Sequence, residues 1–230
     1  MTRELVYPPA VTELRFFDPF AEIDKHRNLL PHWQQPGATY FVTFRLGDSI
    51  PAALRLQWEE ERALWRAHHP EPWSAEVEQE FHRRFSGQID TWLDAAHGAC
   101  WMRKAELRAS LAETLRYRDG SGYALHAWVI MPNHAHVLVS LHPESRIEVE
   151  VGAWKSISAR QINAKLGRRG SLWQEDYFDR LVRDRAHFGN CARYIRRNPG
   201  KARLRMGEYE LWEGPLALQA QGEGAPSPLV

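Results

Sequence analysis

The chain has 230 residues, 43% of them hydrophobic and 26% charged, a composition typical of a globular protein with a substantial core. No apolar run approaches the roughly 20 residues that span a bilayer, and the N-terminus lacks the apolar stretch of a signal peptide. The only cysteines, Cys100 and Cys191, exclude a disulfide framework and a cysteine-rich zinc site. We therefore expect a cytoplasmic protein.

The net charge of +1 conceals an uneven distribution along the chain. Residues 151–205 hold fourteen Lys and Arg against four Asp and Glu, a local net charge of +10, which leaves −9 for the remainder. Such a basic block is typical of proteins that bind a polyanion, but a solvated helical face would give the same count. Charge alone leaves both interpretations open.

The first half of the chain is predicted to contain one strand followed by helices. Residues 1–37 are rich in proline and aromatic residues and are predicted to form an irregular arm. The β-branched and aromatic residues 39–46 predict the first strand. Residues 51–118 then follow a helical pattern, in which Ser74 is the predicted N-cap of a second helix.

The second half is predicted to alternate strands and helices. Its predicted elements are a buried strand over 123–131, a strand over 134–141, a helix over 146–165, a basic loop over 167–170, a short strand near 182, and a helix from Asp184 to about Arg197. Asn198 precedes Pro199, which disfavours helical backbone and predicts the end of the last helix. Residues 213–230 are predicted to be a disordered tail.

This order of elements predicts an α+β fold. We expect a ferredoxin-like antiparallel sheet with helices on one face and an enlarged helical insertion, residues 51–118, between the first two strands. Residues 38–212 would form a single catalytic domain.

Two histidines flank one residue on the strand over 134–141. Side chains two positions apart on a strand point to the same face, so His134 and His136 can converge on one cation while Ala135 points away. A two-histidine site needs a further protein ligand, and the same pattern also fits histidines that serve packing alone.

The last predicted helix carries Tyr194 and Asn198 at i and i+4, one turn apart on the border of the apolar stripe. This border is suited to a site at the rim of the sheet, but a tyrosine that bonds to the backbone would fit it equally well. Tyr177 is a rival nucleophile, although no potential ligand follows it at helical spacing. Nearby, Trp173 could stack on a base and Gln174 could read one.

Taken together, several strings in the chain resemble the REP-associated tyrosine transposases, relatives of the single-tyrosine HUH transposases of the IS200-like class. The most specific are Met131-Pro-Asn-His-Ala-His136 and Tyr194-Ile-Arg-Arg-Asn-Pro199. Shorter matching strings are Tyr40-Phe-Val-Thr-Phe-Arg-Leu46, Trp154-Lys-Ser156, Leu172-Trp-Gln174, Tyr177-Phe-Asp-Arg180 and Lys201-Ala202. The resemblance covers residues 25–205, and the long helical stretch 51–118 departs from the smallest relatives.

The resemblance implies a divalent metal, magnesium or manganese, with His134 and His136 as ligands and Asn198 completing the site. It implies that Tyr194 is the nucleophile and that the substrate is single-stranded DNA beside a short palindromic hairpin. It leaves a monomer and a homodimer open. Basic residues would follow the DNA backbone, above all Lys155, Arg160, Arg168, Arg169, Arg180 and Arg183.

Two other functions fit parts of the same pattern. A ferredoxin-like sheet with exposed aromatics can bind nucleic acid without catalysis, but binding alone does not require two histidines, a tyrosine and an asparagine together. A zinc hydrolase could use the same histidines, but water would take the place of Tyr194.

Overall fold

The computed structural model describes residues 14–27, 31–70 and 73–220. A five-stranded antiparallel sheet forms its centre, with the strands β3 (Thr39–Arg45), β4 (Tyr123–Ile130), β5 (His134–Leu141), β6 (Phe178–Leu181) and β7 (Glu210–Glu213). Their order across the sheet is β6-β3-β5-β4-β7. The prediction of an α+β fold with an antiparallel sheet is confirmed.

Helices cover both faces of the sheet, and the expectation of helices on one face is wrong. On one face, β-strand residues pack against the helices α4 (Ala105–Arg116) and α5 (Ile147–Leu166). On the other face, they pack against α6 (Arg185–Lys201) and α7 (Pro215–Gln219). Alternation along the strands explains the two cores, because successive side chains point to opposite faces.

The two faces can be followed along the central strand β5. Val137 and Val139 belong to the core beneath α4 and α5, whereas Leu138 belongs to the core beneath α6. His134 and His136 alternate in step with Leu138 and therefore lie on the α6 side. We call this side of the sheet the site face.

The helical insertion between the first two strands of the sheet is confirmed. It comprises α1 (Ala52–His68), α2 (Ala75–Phe81), a π-helical turn (His82–Ser86), α3 (Gly87–Asp94), a 3-10 turn (Trp101–Arg103) and α4. The hydroxyl of Ser74 accepts from the backbone N–H of Val77 at 3.4 Å, as expected of the N-cap. Among the described residues of the insertion, those that join the core of the sheet are Met102 and residues of α4, at its end.

Helices α1 to α3 have an aromatic core of their own. The ring of Trp65 lies 5.2 Å from those of Trp73 and Phe81 and 5.9 Å from that of Phe85, measured between centroids. None of these four residues belongs to the two cores of the sheet. The insertion therefore packs largely on itself.

Both ends of the described chain are more ordered than the sequence predicted. The arm contains a two-stranded antiparallel sheet, β1 (Asp24–Arg27) and β2 (Pro31–Gln34). In the expected tail, α7 buries Ala217 against the site-face core, and the N–H of Gly214 donates to the carbonyl of His126 at 2.8 Å. The parts of these predictions that fall on residues 1–13 and 221–230 lie outside the described residues.

Helix α6 continues to Lys201, past the end predicted at Asn198. Proline removes one helical hydrogen bond, but Asn198 and Pro199 are both buried, and their packing outweighs that loss. The carbonyl of Asn198 still accepts from the N–H of Ala202 at 3.0 Å. The extra turn places Lys201 seven residues after Tyr194, on the same side of the helix.

In the described ranges, no helix is long and apolar enough to cross a membrane.

Candidate active site

The imidazoles of His134 and His136 face each other on β5, as the two-residue spacing predicted. Their Nε2 atoms are 3.1 Å apart, and each residue is 1% exposed. Burial lowers the pKa of His134 to about 3, and burial together with the neighbouring His134 and Lys201 lowers that of His136. Both rings are therefore neutral at physiological pH, the form in which imidazole binds a metal.

The Nδ1 atom of each ring contacts a neighbouring side chain. His134 Nδ1 donates to Asn133 Oδ1 at 2.8 Å, and Asn133 Nδ2 in turn donates to the carbonyl of His97 at 3.3 Å. His136 Nδ1 lies 2.7 Å from Thr43 Oγ1, directly across from it on β3. These contacts fix the ring orientations and direct both Nε2 atoms to one point.

Helix α6 brings Tyr194 and Asn198 to the same point. Asp184 caps the helix by accepting from the N–H of His187 at 2.7 Å. The predicted apolar stripe is buried against the site face; it consists of Phe188, Cys191, Ala192 and Ile195. The ring of Tyr194 stands edge-on to that of His136 at 5.1 Å, and Asn198 Nδ2 lies 3.3 Å from His136 Nε2.

The donor set of this site fits a divalent cation. Two imidazole nitrogens converge, and the side-chain oxygen Oδ1 of Asn198 is buried without a hydrogen-bond partner among the described residues. A buried carbonyl oxygen without a partner costs free energy unless a ligand satisfies it. In the described chain no three His, Cys, Asp or Glu side chains meet as a metal site, so this candidate set depends on the amide oxygen.

Three charged residues that sequence reasoning did not assign surround Tyr194. Asp90 belongs to helix α3 of the insertion. Burial, followed by the charge of Asp90, raises the pKa of Tyr194 far above its usual range. Lys201 Nζ lies 5.9 Å from the Tyr194 ring centre and 2.9 Å from Asp94 Oδ2. The i, i+4 spacing of Asp90 and Asp94 was visible, but nothing in the sequence connected it to α6.

Tyr177, the rival nucleophile, lies on the opposite face of the sheet. It is buried in the core beneath α4 and α5, and its ring stacks on that of His32 at a centroid distance of 4.4 Å. Burial raises the pKa of its hydroxyl above the usual range. The sheet therefore separates Tyr177 from the histidine pair.

Three of the residues predicted to contact DNA are buried or half-buried. Trp173 is 3% exposed in the core, and its indole N–H donates to Ser158 Oγ at 3.0 Å, so stacking on a base is not supported. Gln174 is half-buried next to it, and its backbone N–H donates to the carbonyl of Arg45 at 2.8 Å. Lys155 is also half-buried and donates to the carbonyl of Glu175 at 2.5 Å.

The remaining predicted basic residues lie at the surface. Arg160, Arg169 and Arg183 are exposed, and Arg168 is half-buried. Arg180 pairs with Phe41 across the strands and so lies on the site face with it. Arg45, which pairs with His134, lies on this face as well and was not predicted.

Comparison with protein-family models agrees with the resemblance inferred from the sequence. The family model described as "Transposase IS200 like" matches residues 102–198, a segment that contains His134, His136, Tyr194 and Asn198. A comparison with curated proteins found no match. Among solved structures, the chain is similar to one described as a REP-associated tyrosine transposase bound to a REP hairpin, at 15% identity and a TM-score of 0.43, covering 89% of this chain and 99% of that one.

Proposed function

We propose that this chain, which matches the IS200-like transposase model over residues 102–198, is a metal-dependent single-strand DNA endonuclease and strand transferase. It would act on DNA beside a REP-like palindromic hairpin and form a 5′-phosphotyrosine bond through Tyr194. One observation carries the proposal: two neutral imidazoles converge beside Asn198, whose amide oxygen has no hydrogen-bond partner among the described residues, one helical turn from a tyrosine.

His134, His136 and Asn198 would hold the cation, magnesium or manganese. When bound, such an ion neutralises charge that develops on a scissile phosphate. Imidazole ligands suit manganese better than magnesium, which prefers oxygen. We therefore expect manganese to support the reaction at a lower concentration than magnesium does.

Tyr194 would act as the nucleophile. Its hydroxyl oxygen would form a bond to phosphorus while the bond between phosphorus and the 3′ oxygen breaks, leaving a free 3′-OH and a 5′-phosphotyrosine. The ester bond is conserved in the adduct, so attack by a 3′-OH can rejoin the strand without ATP. Because the pKa of Tyr194 is raised, the hydroxyl is protonated at neutral pH and needs activation at the moment of attack.

The proposed DNA path runs over the end of the sheet where β3 stops and β5 begins. Arg45 lies on the site face at this end, and Arg180, which pairs with Phe41, lies on the same face beside the first half of β3. The basic loop 167–170 is close by, because the N–H of Gly47 donates to the carbonyl of Leu172 at 2.9 Å. A single DNA strand whose phosphates bind along this path would extend to Tyr194.

The experiment uses single strands that span the palindrome beside the chain's own gene, labelled separately at each end and incubated with manganese. The label 3′ of the cut should co-migrate with the protein on a denaturing gel, and the label 5′ of the cut should run free. Tyr194→Phe should abolish the adduct, while the matched control Tyr177→Phe should retain it.

Each alternative gives a different pattern. Cleavage without an adduct would indicate a hydrolase that uses water, and intact DNA with retained binding would indicate a binding module. A label 5′ of the cut that stays with the protein would mean a 3′-phosphotyrosine enzyme. Any of these outcomes would refute the proposal.

A further inference from the structure

Arg45, the last residue of β3, lies on the site face beside the histidine pair. Thr43, two positions earlier on the strand, contacts His136, and side chains two positions apart on a strand point to the same face. Arg45 also pairs with His134 across β3 and β5. Side chains that pair in this way have Cβ atoms about 4.5–5.5 Å apart. Arg45 is therefore a direct neighbour of a proposed metal ligand.

The backbone around Arg45 is held from both sides. The N–H of Leu46 donates to the carbonyl of Asn133, the residue before the histidine pair, at 2.8 Å. On the other side, the carbonyl of Arg45 accepts from the N–H of Gln174 at 2.8 Å. These bonds fix Arg45 relative to the histidine pair and to the segment that follows the basic loop 167–170.

Ser49 orients the guanidinium of Arg45. The hydroxyl of Ser49 donates to the carbonyl of Leu46 at 2.7 Å, and its oxygen accepts from Arg45 Nη1 at 3.1 Å. Among the described residues, Ser49 is the only hydrogen-bond partner of the guanidinium, which carries several N–H donors. Most of these donors are therefore available to a ligand.

No carboxylate in the described ranges forms an ion pair with Arg45. The two acidic residues that follow it most closely along the chain have other partners. Asp48 Oδ2 accepts from the N–H of Ala99 at 2.8 Å, and Glu59 Oε1 lies 2.7 Å from a nitrogen of its neighbour on α1. Burial lowers the pKa of Arg45 to about 10, so the side chain stays charged at neutral pH. A half-buried guanidinium without a counter-ion is suited to bind the oxygens of a phosphate.

Arg45 and Tyr194 lie at opposite ends of the histidine pair. The Tyr194 ring contacts those of Phe41 and His136, at centroid distances of 5.7 and 5.1 Å. Phe41 and Arg45 are four positions apart on β3, a separation of about 13 Å along the strand. The bond to Ser49, in the turn after β3, keeps the guanidinium at the end that is remote from Tyr194.

This arrangement matches the geometry of an in-line displacement. When Tyr194 attacks a phosphorus atom at the histidine pair, the 3′ oxygen leaves on the side opposite the tyrosine. The part of the strand that ends in this oxygen, on the 5′ side of the cut, therefore extends towards Arg45.

We propose that Arg45 binds a backbone phosphate of the DNA on the 5′ side of the cut and thereby retains the released 3′-OH end for rejoining. The inference rests on the proposed function of Tyr194. It also gives the DNA a direction, because the 5′ part of the strand would pass over the end of β3 towards the loop 167–170.

The first test measures binding and needs no cleavage. Single strands in which one phosphate at a time is replaced by a neutral methylphosphonate are titrated, with manganese, against the full chain carrying Tyr194→Phe. One replacement on the 5′ side of the cut should weaken binding by about 10-fold, the loss expected for a hydrogen bond between charged groups. Adding Arg45→Gln should abolish the effect of that replacement. It should also reduce the slope of log affinity against log salt by about 0.7, the single-strand value for one phosphate.

Arg116→Gln is the matched control for the loss of one positive charge. Arg116 is an exposed residue of α4 on the opposite face of the sheet, and its guanidinium carbon lies 5.1 Å from the Trp128 ring centre. This variant should leave the effect of every methylphosphonate unchanged. Urea unfolding checks each variant. If Arg45→Gln does not fold, Arg45→Lys takes its place, and the loss at the same phosphate should fall to about 3-fold because the paired hydrogen bonds of the fork are lost.

The second test follows the strand that cleavage releases. The chain with Tyr194 intact is allowed to cut a strand labelled at its 5′ end, and unlabelled strand is then added in excess. On a native gel, the labelled fragment should dissociate about 10-fold faster from Arg45→Gln than from the wild type or Arg116→Gln. Rejoining should decrease in proportion.

The outcomes separate this inference from the proposed function. If an adduct forms but no methylphosphonate effect depends on Arg45, the inference fails while the function stands. A dependence on a phosphate 3′ of the cut, or equal retention of the released fragment by all variants, would also overturn it. If no adduct forms but Arg45→Gln still abolishes the effect of one methylphosphonate, the proposed function fails while the phosphate contact stands.

Discussion

Replacing Thr43 with valine tests the metal site through a residue that would not touch the metal. Thr43 Oγ1 lies 2.7 Å from His136 Nδ1, and valine has nearly the same shape without the hydroxyl. The imidazole would lose the contact that fixes its orientation. Loss of such a partner typically weakens metal affinity by about 10- to 100-fold, which corresponds to about 1.4–2.7 kcal/mol.

The assay is titration of the purified chain with Mn²⁺ by calorimetry, followed by cleavage across a range of Mn²⁺ concentrations. Thr43→Val should shift both curves to about 10- to 100-fold higher concentration, and saturating metal should restore the maximal rate. Activity that stays lost at saturation would show damage beyond metal affinity.

The matched control is Thr39→Val on the same strand. Thr39 Oγ1 also lies 2.7 Å from a partner, Ser140 Oγ, but this pair is four positions away from the Thr43–His136 pair along β3 and β5. It should lose stability without any change in Mn²⁺ affinity. The reasoning is refuted if Thr43→Val binds Mn²⁺ as tightly as the wild type, or if both variants lose affinity equally.

Two further predictions concern stability and DNA binding. Burial alone would lower the pKa of His32, but its hydrogen bonds to Asp176 and Asp179 raise it to about 9. The stabilisation that comes from this raised pKa is complete below pH 6.5 and is lost as the pH rises through 9. His32→Gln should therefore lower the free energy of unfolding in urea by about 1–3 kcal/mol at pH 6, and by less as the pH rises towards 9. A difference that stays constant with pH would contradict this prediction. Arg168→Ala with Arg169→Ala should reduce the slope of log affinity against log salt by about 1–2, and an unchanged slope would move the DNA path away from this loop.

The local geometry of the site could be predicted because it follows from backbone periodicity. The period of two places His134 and His136 on one face, and the period of 3.6 places Asn198 one turn after Tyr194. Periodicity does not identify which face of the sheet a helix will cover. For that reason α6 was expected beside α5 and lies on the opposite face.

The residues that sequence reasoning missed depend on contacts between distant segments. Asp94 and Lys201 are separated by about a hundred positions, and no local pattern connects them. Trp173 was expected to stack on a base because its side chain is a large aromatic ring, but tertiary packing buries that ring. Lys201 was not assigned to the last helix, because helices usually end before a proline. Here the burial of Pro199 lets the helix continue to Lys201.

The most direct measurement of the central claim is to identify the residue that carries DNA. The full chain is incubated with manganese and a single strand that contains the palindrome, digested with protease and nuclease, and analysed by tandem mass spectrometry. We expect a nucleotide joined through its 5′ phosphate to the peptide that contains Tyr194, and no such mass after chelation of the metal. A nucleotide on Tyr177, or DNA cut without a modified peptide, would contradict the account.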